Sequence, residues 1–560
     1  VDSFWTGTVA DVRGSWVRPA SVRGLFAVPL MVAIVLGVTS VGAAPVLAQG
    51  VPSAAASPPG TGLAWGDNAE SQLGDGTTTN SSTPVTVDVP ADTTITAVAA
   101  GQGHSLAVTS AGTVLAWGAN SSGQLGDGTT TPRSTPVAVD LPAGTTITAV
   151  AAGDRHSLAV TSTGTVLAWG LNVTGQLYDG TTTSSSTPIV VDLPVGTTVT
   201  AVAAGNAHSL ALTSAGTVLA WGANSSGQLG DGTTTPRSTP VAVDLPVGTT
   251  ITTIAASSSS HSLAVTSTGT MLAWGANFTG QLGDGTITNR STPVAVDLPA
   301  GTTVTAVATG SGHSLAVTSA GTMLAWGGNG SGQLGDGSTT SSSTPVAVDL
   351  PAGTTVTAVA GGAGHSLALT STGTMLAWGF NTSGQLGDGT TSNRSIPIAT
   401  DLPADTTITA IAGGSFHSLA IVPSTSTTTL QVSPPNPTPD QPVTLTATVT
   451  CTGSTPTGTM TYLEDTTILG TEPLSGNPTA TATLTVTRLT PGTHHIQARY
   501  NGDNNCPTST SDSTTVTVPK PTIPVTGTSL PTILAAGSLL TLTGTALTLA
   551  THRRRPTHRA

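Results

Sequence analysis

Residues 104–153 read HSLAVTSAGTVLAWGANSSGQLGDGTTTPRSTPVAVDLPAGTTITAVAAG, and this pattern recurs along most of the chain. Tryptophans mark it at Trp65, Trp117, Trp169, Trp221, Trp274, Trp326 and Trp378, and histidines at His104, His156, His208, His261, His313, His365 and His417. The step is 52 residues, lengthening once to 53 between Trp221 and Trp274. Within a unit, HSLAVTS and GTVLAWG are short apolar runs around a Gly-containing turn, the signature of a β-hairpin. STPVAVDL and TTITAVAAG supply two more strands, and Pro and Gly punctuate the connections. Four strands in roughly fifty residues describe a propeller blade, and seven such units suffice to close a ring. The first unit opens with only the Gly62–Gly66 strand of the hairpin, whereas the last stops after His417–Val422. Each terminal strand lacks the partner the other carries, so the two are expected to pair, removing two open sheet edges. The expected fold class is all-β, a seven-bladed β-propeller followed by an immunoglobulin-like β-sandwich.

Composition agrees with strands and turns. Charged residues make up 8% of the 560 residues and aromatic residues 3%, while Gly alone contributes 67. A net charge of -12, with Lys520 the single lysine and few basic residues outside the two ends, argues against the clustered cations that neutralise phosphates, so nucleic-acid binding is not expected. The two cysteines, Cys451 and Cys506, lack a CxxC partner and are compatible with one disulfide in an oxidising compartment.

Both ends carry address-like patterns. Arg13, Arg18 and Arg23 precede an apolar run, Leu25–Val38, and small residues follow to Ala48, the layout of a secretory signal cleaved after Ala48 or after Ala44. A retained membrane helix is the other reading. At the far end Ile523-Pro524-Val525-Thr526-Gly527 is followed by an apolar stretch, Leu530–Ala550, and then Arg553-Arg554-Arg555. This order resembles the cell-wall sorting signal of Gram-positive surface proteins, with Ile523 where Leu is usual. The resemblance implies cleavage by a sortase between Thr526 and Gly527 and joining to peptidoglycan. A plain C-terminal membrane anchor uses the same features.

At HSLAVTS, AWGxNxxGQLGDG and their spacing, residues 60–422 resemble the repeats of the regulator of chromosome condensation family. The resemblance implies the propeller fold. The family includes an exchange factor for a eukaryotic GTPase and a secreted bacterial inhibitor of β-lactamases, but fold does not fix activity. A residue present in every unit is required by every unit. The seven histidines therefore read as strand-end hydrogen-bonding groups, and Asp75, Asp127, Asp179, Asp231, Asp284, Asp336 and Asp388 as turn formers. The GDG turn lacks the alternating oxygen ligands of a calcium loop. No catalytic residues, metal or cofactor are expected, and the chain is read as a non-enzyme.

Function is expected where the repeat symmetry breaks. Residues 109–142 are identical to 213–246, so individual features are few. Candidate ligand-binding positions, placed by the pattern at hairpin ends, are Arg155, Leu171, Val173, Tyr178 (in place of a Gly), Phe278, Phe380 and Phe416, of which Arg155, Tyr178, Phe278, Phe380 and Phe416 have side chains favoured at binding hot spots. Neutral drift in loops is the competing reading.

From Thr428 to Val518 the period vanishes while strands continue, in PVTLTATVTC, GTMTYLED, ATATLTVTRL, THHIQARYNGD and DSTTVTV. PTGTMTYL and LTPGTHHIQARYNGD resemble bacterial immunoglobulin-like repeats, and Cys451 and Cys506 are placed to staple this domain. His494 and His495 are adjacent on a strand, so they face opposite sides. The expected layout is a signal peptide over 1–48, a linker over 49–60, the propeller over 61–422 and a linker over 423–427. Next come the sandwich over 428–518, a linker with the sorting motif over 519–527, a hydrophobic segment over 528–552 and a basic tail over 553–560. The expected protein is secreted and anchored to the cell wall, touching membrane only through its C-terminal segment, with a propeller that binds a protein or glycan. Enzyme inhibition and a purely structural envelope role are the alternatives.

Overall fold

A computed structural model describes residues 59–178 and 180–522. The expected signal peptide, the sorting motif Ile523–Gly527 and the hydrophobic segment lie outside the described residues. Among the described residues no helix is long and apolar enough to cross a membrane.

The repeat folds as read. Six strands set the pattern: β1 (Gly60–Gly66), β2 (Ser81–Thr86), β3 (Ile95–Ala100), β4 (His104–Thr109), β5 (Val114–Gly118) and β6 (Arg133–Ala138). In β4 and β5 the register runs from His104 opposite Gly118 to Val108 opposite Val114, which fixes the hairpin. Strands β3, β4, β5 and β6 form one four-stranded antiparallel unit, and five more four-stranded sheets follow between residues 147 and 399. The sheet boundary differs from the sequence unit: the ITAVAA strand after each unit joins the next hairpin, because it pairs with the HSLAVT strand four residues on.

Closure is by the expected pairing. Strand β1 lies antiparallel to His417–Pro423, from Gly60 opposite Pro423 to Gly66 opposite His417. Ala410–Gly413 and β2 flank that pair, completing a four-stranded unit from both ends of the array.

Packing between units explains the tryptophans. All seven are fully buried. Each indole donates to the carbonyl of a Gln in the preceding unit, as Trp117 Nε1 does to Gln72 at 2.8 Å. In six units the residue two after that Gln is a glycine with a positive φ, +70° at Gly74, where a Cβ would stand 2.7 Å from the Trp117 ring, so both backbone and space favour glycine.

The loop after each Trp-Gly is built around a buried asparagine. Asn120 Oδ1 accepts from Leu125 N at 3.0 Å, while its Nδ2 donates to Asp127 Oδ1 and the carbonyls of Thr129 and Thr131. Asp127 also accepts from Thr129 and pairs with Arg133 at 2.6 Å. Burial would push its carboxyl up, but these partners hold it below the usual range. The GDG aspartates of this kind are spent on closing their own loops. Arg237, Arg290 and Arg394 repeat the ion pair.

The C-terminal domain is a sandwich of two sheets. One holds Ser426–Ser433, Val443–Cys451 and Ala480–Val486; the other is built on Thr459–Glu464 and Gly492–Tyr500. Alternation puts Val443, Leu445, Ala447 and Val449 inward against Tyr462, Ile496, Ala498 and Val516. The Tyr462 hydroxyl donates to the Ala482 carbonyl at 2.5 Å, so its polar tip is satisfied inside. Cys451 and Cys506 are disulfide-bonded. Sequence reading missed the strands Ser426–Ser433 and Thr467–Pro473, whose Thr-rich and partly exposed faces give weak apolar alternation. His494 points inward, with Nδ1 2.5 Å from Glu464 Oε1 and Nε2 2.7 Å from the Thr490 carbonyl; His495 is exposed.

Candidate functional site

The seven histidines form a closed circuit. His104 Nε2 lies 3.0 Å from Ser157 Oγ in the next unit. Equivalent links run from His156, His208, His261, His313 and His365, and His417 returns to Ser105 at 2.9 Å. Each serine hydroxyl gives its one hydrogen to a Gln carbonyl, Ser157 to that of Gln124 at 2.8 Å. The histidine must therefore donate from Nε2, and in the neutral ring this leaves Nδ1 bare. Nδ1 has no hydrogen-bond partner at any of the seven rings. Burial drives the pKa of His104 down to about 3 and that of His156 to about 4. Such groups hold units together and are withheld from chemistry at neutral pH.

The axial cavity beside the circuit is narrow. Gly101, Gly153, Gly205, Gly310, Gly362 and Gly414 line it with Asp154, Ser258, Ala363 and Ser415, and its volume is about 30 Å³. Ligand sites for organic molecules run to roughly 300–1,000 Å³, so this cavity is too small to enclose one. Asp154 is the charged group at this mouth. Burial pushes its carboxyl up to about 6, against the opposing influence of Asn206 Nδ2 at 2.6 Å and the Arg155 charge. Among the described residues no group of three or more His, Cys, Asp or Glu is placed to hold a metal.

The positions of broken symmetry sort by where each hairpin begins and ends. Arg155 and Phe416 precede the unit histidine, while Leu171 and Phe380 follow Trp-Gly, so all four lie at the histidine end of their hairpins. Leu171 N donates to the Arg155 carbonyl at 2.8 Å, and Phe380 packs on Phe416 with ring centroids 6.0 Å apart and planes tilted by 58°. Arg155 is exposed and, unlike the four arginines at the GDG loops, has no carboxylate within ion-pair distance among the described residues. Val173 and Phe278 occupy one equivalent loop position in different units and are 62% and 71% exposed. Tyr178 stands apart. At φ +55° it takes the left-handed place of the glycine seen in other units and lays its ring 6.4 Å from that of Trp221, packed between units.

Sequence reading passed over Asp92. The sequence held the signal, since Asp92 and Asp405 stand where other units have Gly144, Gly196, Gly248, Gly301 and Gly353.

Comparisons with known proteins agree with this architecture. The RCC1-like domain profile matches residues 61–420, and the bacterial Ig-like domain (group 3) profile matches residues 430–519. The ultraviolet-B receptor UVR8 of Arabidopsis thaliana is 33% identical over 325 residues, 58% of this chain and 74% of that protein. The human E3 ubiquitin-protein ligase HERC2 is 33% identical over 364 residues, which are 64% of this chain but 8% of the ligase. Among solved structures, yeast RCC1 (Prp20), in complex with Kap60, superposes with a TM-score of 0.60 at 23% identity, covering 70% of this chain and 96% of that one. The repeat region makes this chain a member of the RCC1-like domain family.

Proposed function

We propose that the chain is a non-enzymatic recognition protein, a seven-bladed propeller displayed on the bacterial cell wall that binds a protein or glycan through the histidine end of its hairpins. The observation that carries this reading is the Phe380–Phe416 pair, with exposed Phe278 and unpaired Arg155 at the same end of their hairpins. Aromatic and arginine side chains on an otherwise small-residue surface are what hot spots are made of. The closed His–Ser circuit through seven units supports the blade count. The leader-like first 48 residues and the Ile523–Gly527 pattern support secretion and wall attachment. Relatives named as a receptor and as ligases support a binding or regulatory role for the domain.

The test is affinity capture from envelope extracts, with a glycan array in parallel, comparing the chain with a variant carrying Arg155→Ala, Phe278→Ala, Phe380→Ala and Phe416→Ala. The expected result is a specific partner held by the chain and lost by the folded variant. Equal capture by both would remove this face from the reading.

A further inference from the structure

Strands β3, β4 and β5 have two ends, and the sandwich sits at the one opposite the histidines. There the hydroxyls of Thr94, before β3, and Ser110, in the β4–β5 turn, both approach Asn505 Oδ1, at 2.7 and 2.5 Å. Asn505 Nδ2 donates to the Asp92 carbonyl at 3.2 Å, and Thr455 N donates to Asp92 Oδ1 at 2.9 Å. On the sandwich side these groups come from two loops tied to each other. Asp503 accepts from Asn505 N and Cys506 N with one oxygen and from Thr457 N with the other, and the Cys451–Cys506 disulfide links the same loops.

Repetition supplies an internal control for this contact. Thr94 has counterparts in Thr146, Thr198, Thr250, Thr303, Thr355 and Thr407, which are all exposed, whereas Thr94 is fully buried. Ser110 is half-buried while Ser162, Ser214, Ser267, Ser319 and Ser371 are exposed. The residue differs where the backbone does not: five units place a glycine here at φ +75° to +84°, whereas Asp92 keeps the same left-handed backbone at φ +57°, as Asp405 does at +60°, a conformation that disfavours an L side chain.

The connection to the ring is short and paired. The closing strand ends at Pro423 and the sandwich begins its first strand at Ser426. Between them, Ser424 N donates to the Pro59 carbonyl at 2.8 Å and Thr425 N to Thr452 Oγ1 at 2.8 Å. The sandwich thus continues from the last strand of the ring and grips the first complete unit.

We propose that the immunoglobulin-like domain is a strap across the ring closure: Asp92, Thr94 and Ser110 receive its Thr455 and Asn505, so that β1 cannot part from His417–Pro423 unless the sandwich also undocks. The strap adds an intramolecular contact in parallel with the strand pairing, and each opposes release of the other.

Hydrogen exchange of the full chain tests this with Asp92→Gly, which installs the residue other units carry, with Asn505→Ala, and with both together. Asp92→Gly, which removes one hydrogen bond, is expected to speed exchange of the Gly60–Gly66 and His417–Pro423 amides by about tenfold, and Asn505→Ala, which removes three, by at least as much. The double variant is expected to add little, because both substitutions undo one dock. Amides of the remote strand His261–Thr266 are expected to stay unchanged. Unaltered exchange at the closing strands in Asp92→Gly would overturn the strap, as would equal acceleration at His261–Thr266, which marks global destabilisation. Asp92→Gly leaves every sandwich residue in place, so a folding failure confined to Asn505→Ala does not blunt the test.

Discussion

A neutral imidazole that donates to a hydroxyl already donating to a carbonyl is a demanding residue-scale arrangement, because every hydrogen in it has one destination. In Ser157→Ala the His104 Nε2–H loses its acceptor inside the packed ring, and a buried donor left unpaired costs about 1–3 kcal/mol. Denaturant unfolding of that variant is expected to show this loss with no change in the slope that reports exposed surface. Arg155→Ala tests a different residue-scale effect: with the nearby cation gone, the Asp154 carboxyl is expected to titrate above its present value of about 6, as read by carboxyl NMR shifts. The structural role of the histidines was legible in the sequence, because seven-fold recurrence is incompatible with a single reactive centre. The serine partner was not, since it follows the next unit's histidine and meets the ring only through the curvature of the array. Tyr178 was read as a face residue because a glycine replaced by an aromatic looks like an added feature. Its contact with Trp221 comes from the left-handed backbone it inherited.

At the scale of elements, short strands in this chain depend on covalent or cyclic closure. The bond between Cys451 and Cys506 spans 55 residues and ties two loops that strands alone would leave loose. Reducing it is expected to lower sandwich stability by about 2–4 kcal/mol, seen as an earlier urea midpoint for the sandwich with the propeller transition retained. Most strands were readable from alternation and turn residues, as HSLAVT and VLAWG show. The pairing of Gly60–Gly66 with His417–Pro423 was readable too, from complementary incompleteness at the two ends of the array. What escaped was the assignment of ITAVAA to the following sheet, because sequence adjacency does not say on which side of a connection a sheet divides. The docking role of Asp92 escaped for a related reason: an aspartate in place of a glycine is visible in the chain, but its partner lies more than 350 residues away.

For the whole molecule, seven buried neutral histidines make stability depend on pH. Their folded pKa values lie at about 3 to 4, below the ordinary 6.5, so below pH 6.5 the unfolded chain binds more protons than the folded one. Stability is therefore full above about pH 6.5 and is lost as pH falls toward the folded values. Each histidine contributes a slope of about 1.4 kcal/mol per pH unit, and seven together about 10, which predicts a steep, cooperative acid transition of the propeller. Circular dichroism against pH, with proton uptake measured in parallel, checks it; a shallow transition taking up one or two protons would contradict the closed circuit. The overall architecture was readable because repetition exposes itself, whereas the proposed binding face was readable only as a set of exceptions, which carry no geometry until the ring gathers them. The buried asparagine of the repeat loop has one more consequence, in biosynthesis. Asn120-Ser121-Ser122, Asn172-Val173-Thr174, Asn224-Ser225-Ser226, Asn277-Phe278-Thr279, Asn329-Gly330-Ser331 and Asn381-Thr382-Ser383 all match the acceptor tripeptide for N-linked glycosylation, yet each asparagine is fully buried with its amide committed to loop closure. A sugar added to the nascent chain at any of these asparagines would block that closure, so expression through a eukaryotic secretory pathway is expected to lower the yield of folded protein, and replacing the Ser or Thr of each tripeptide by Ala is expected to restore it.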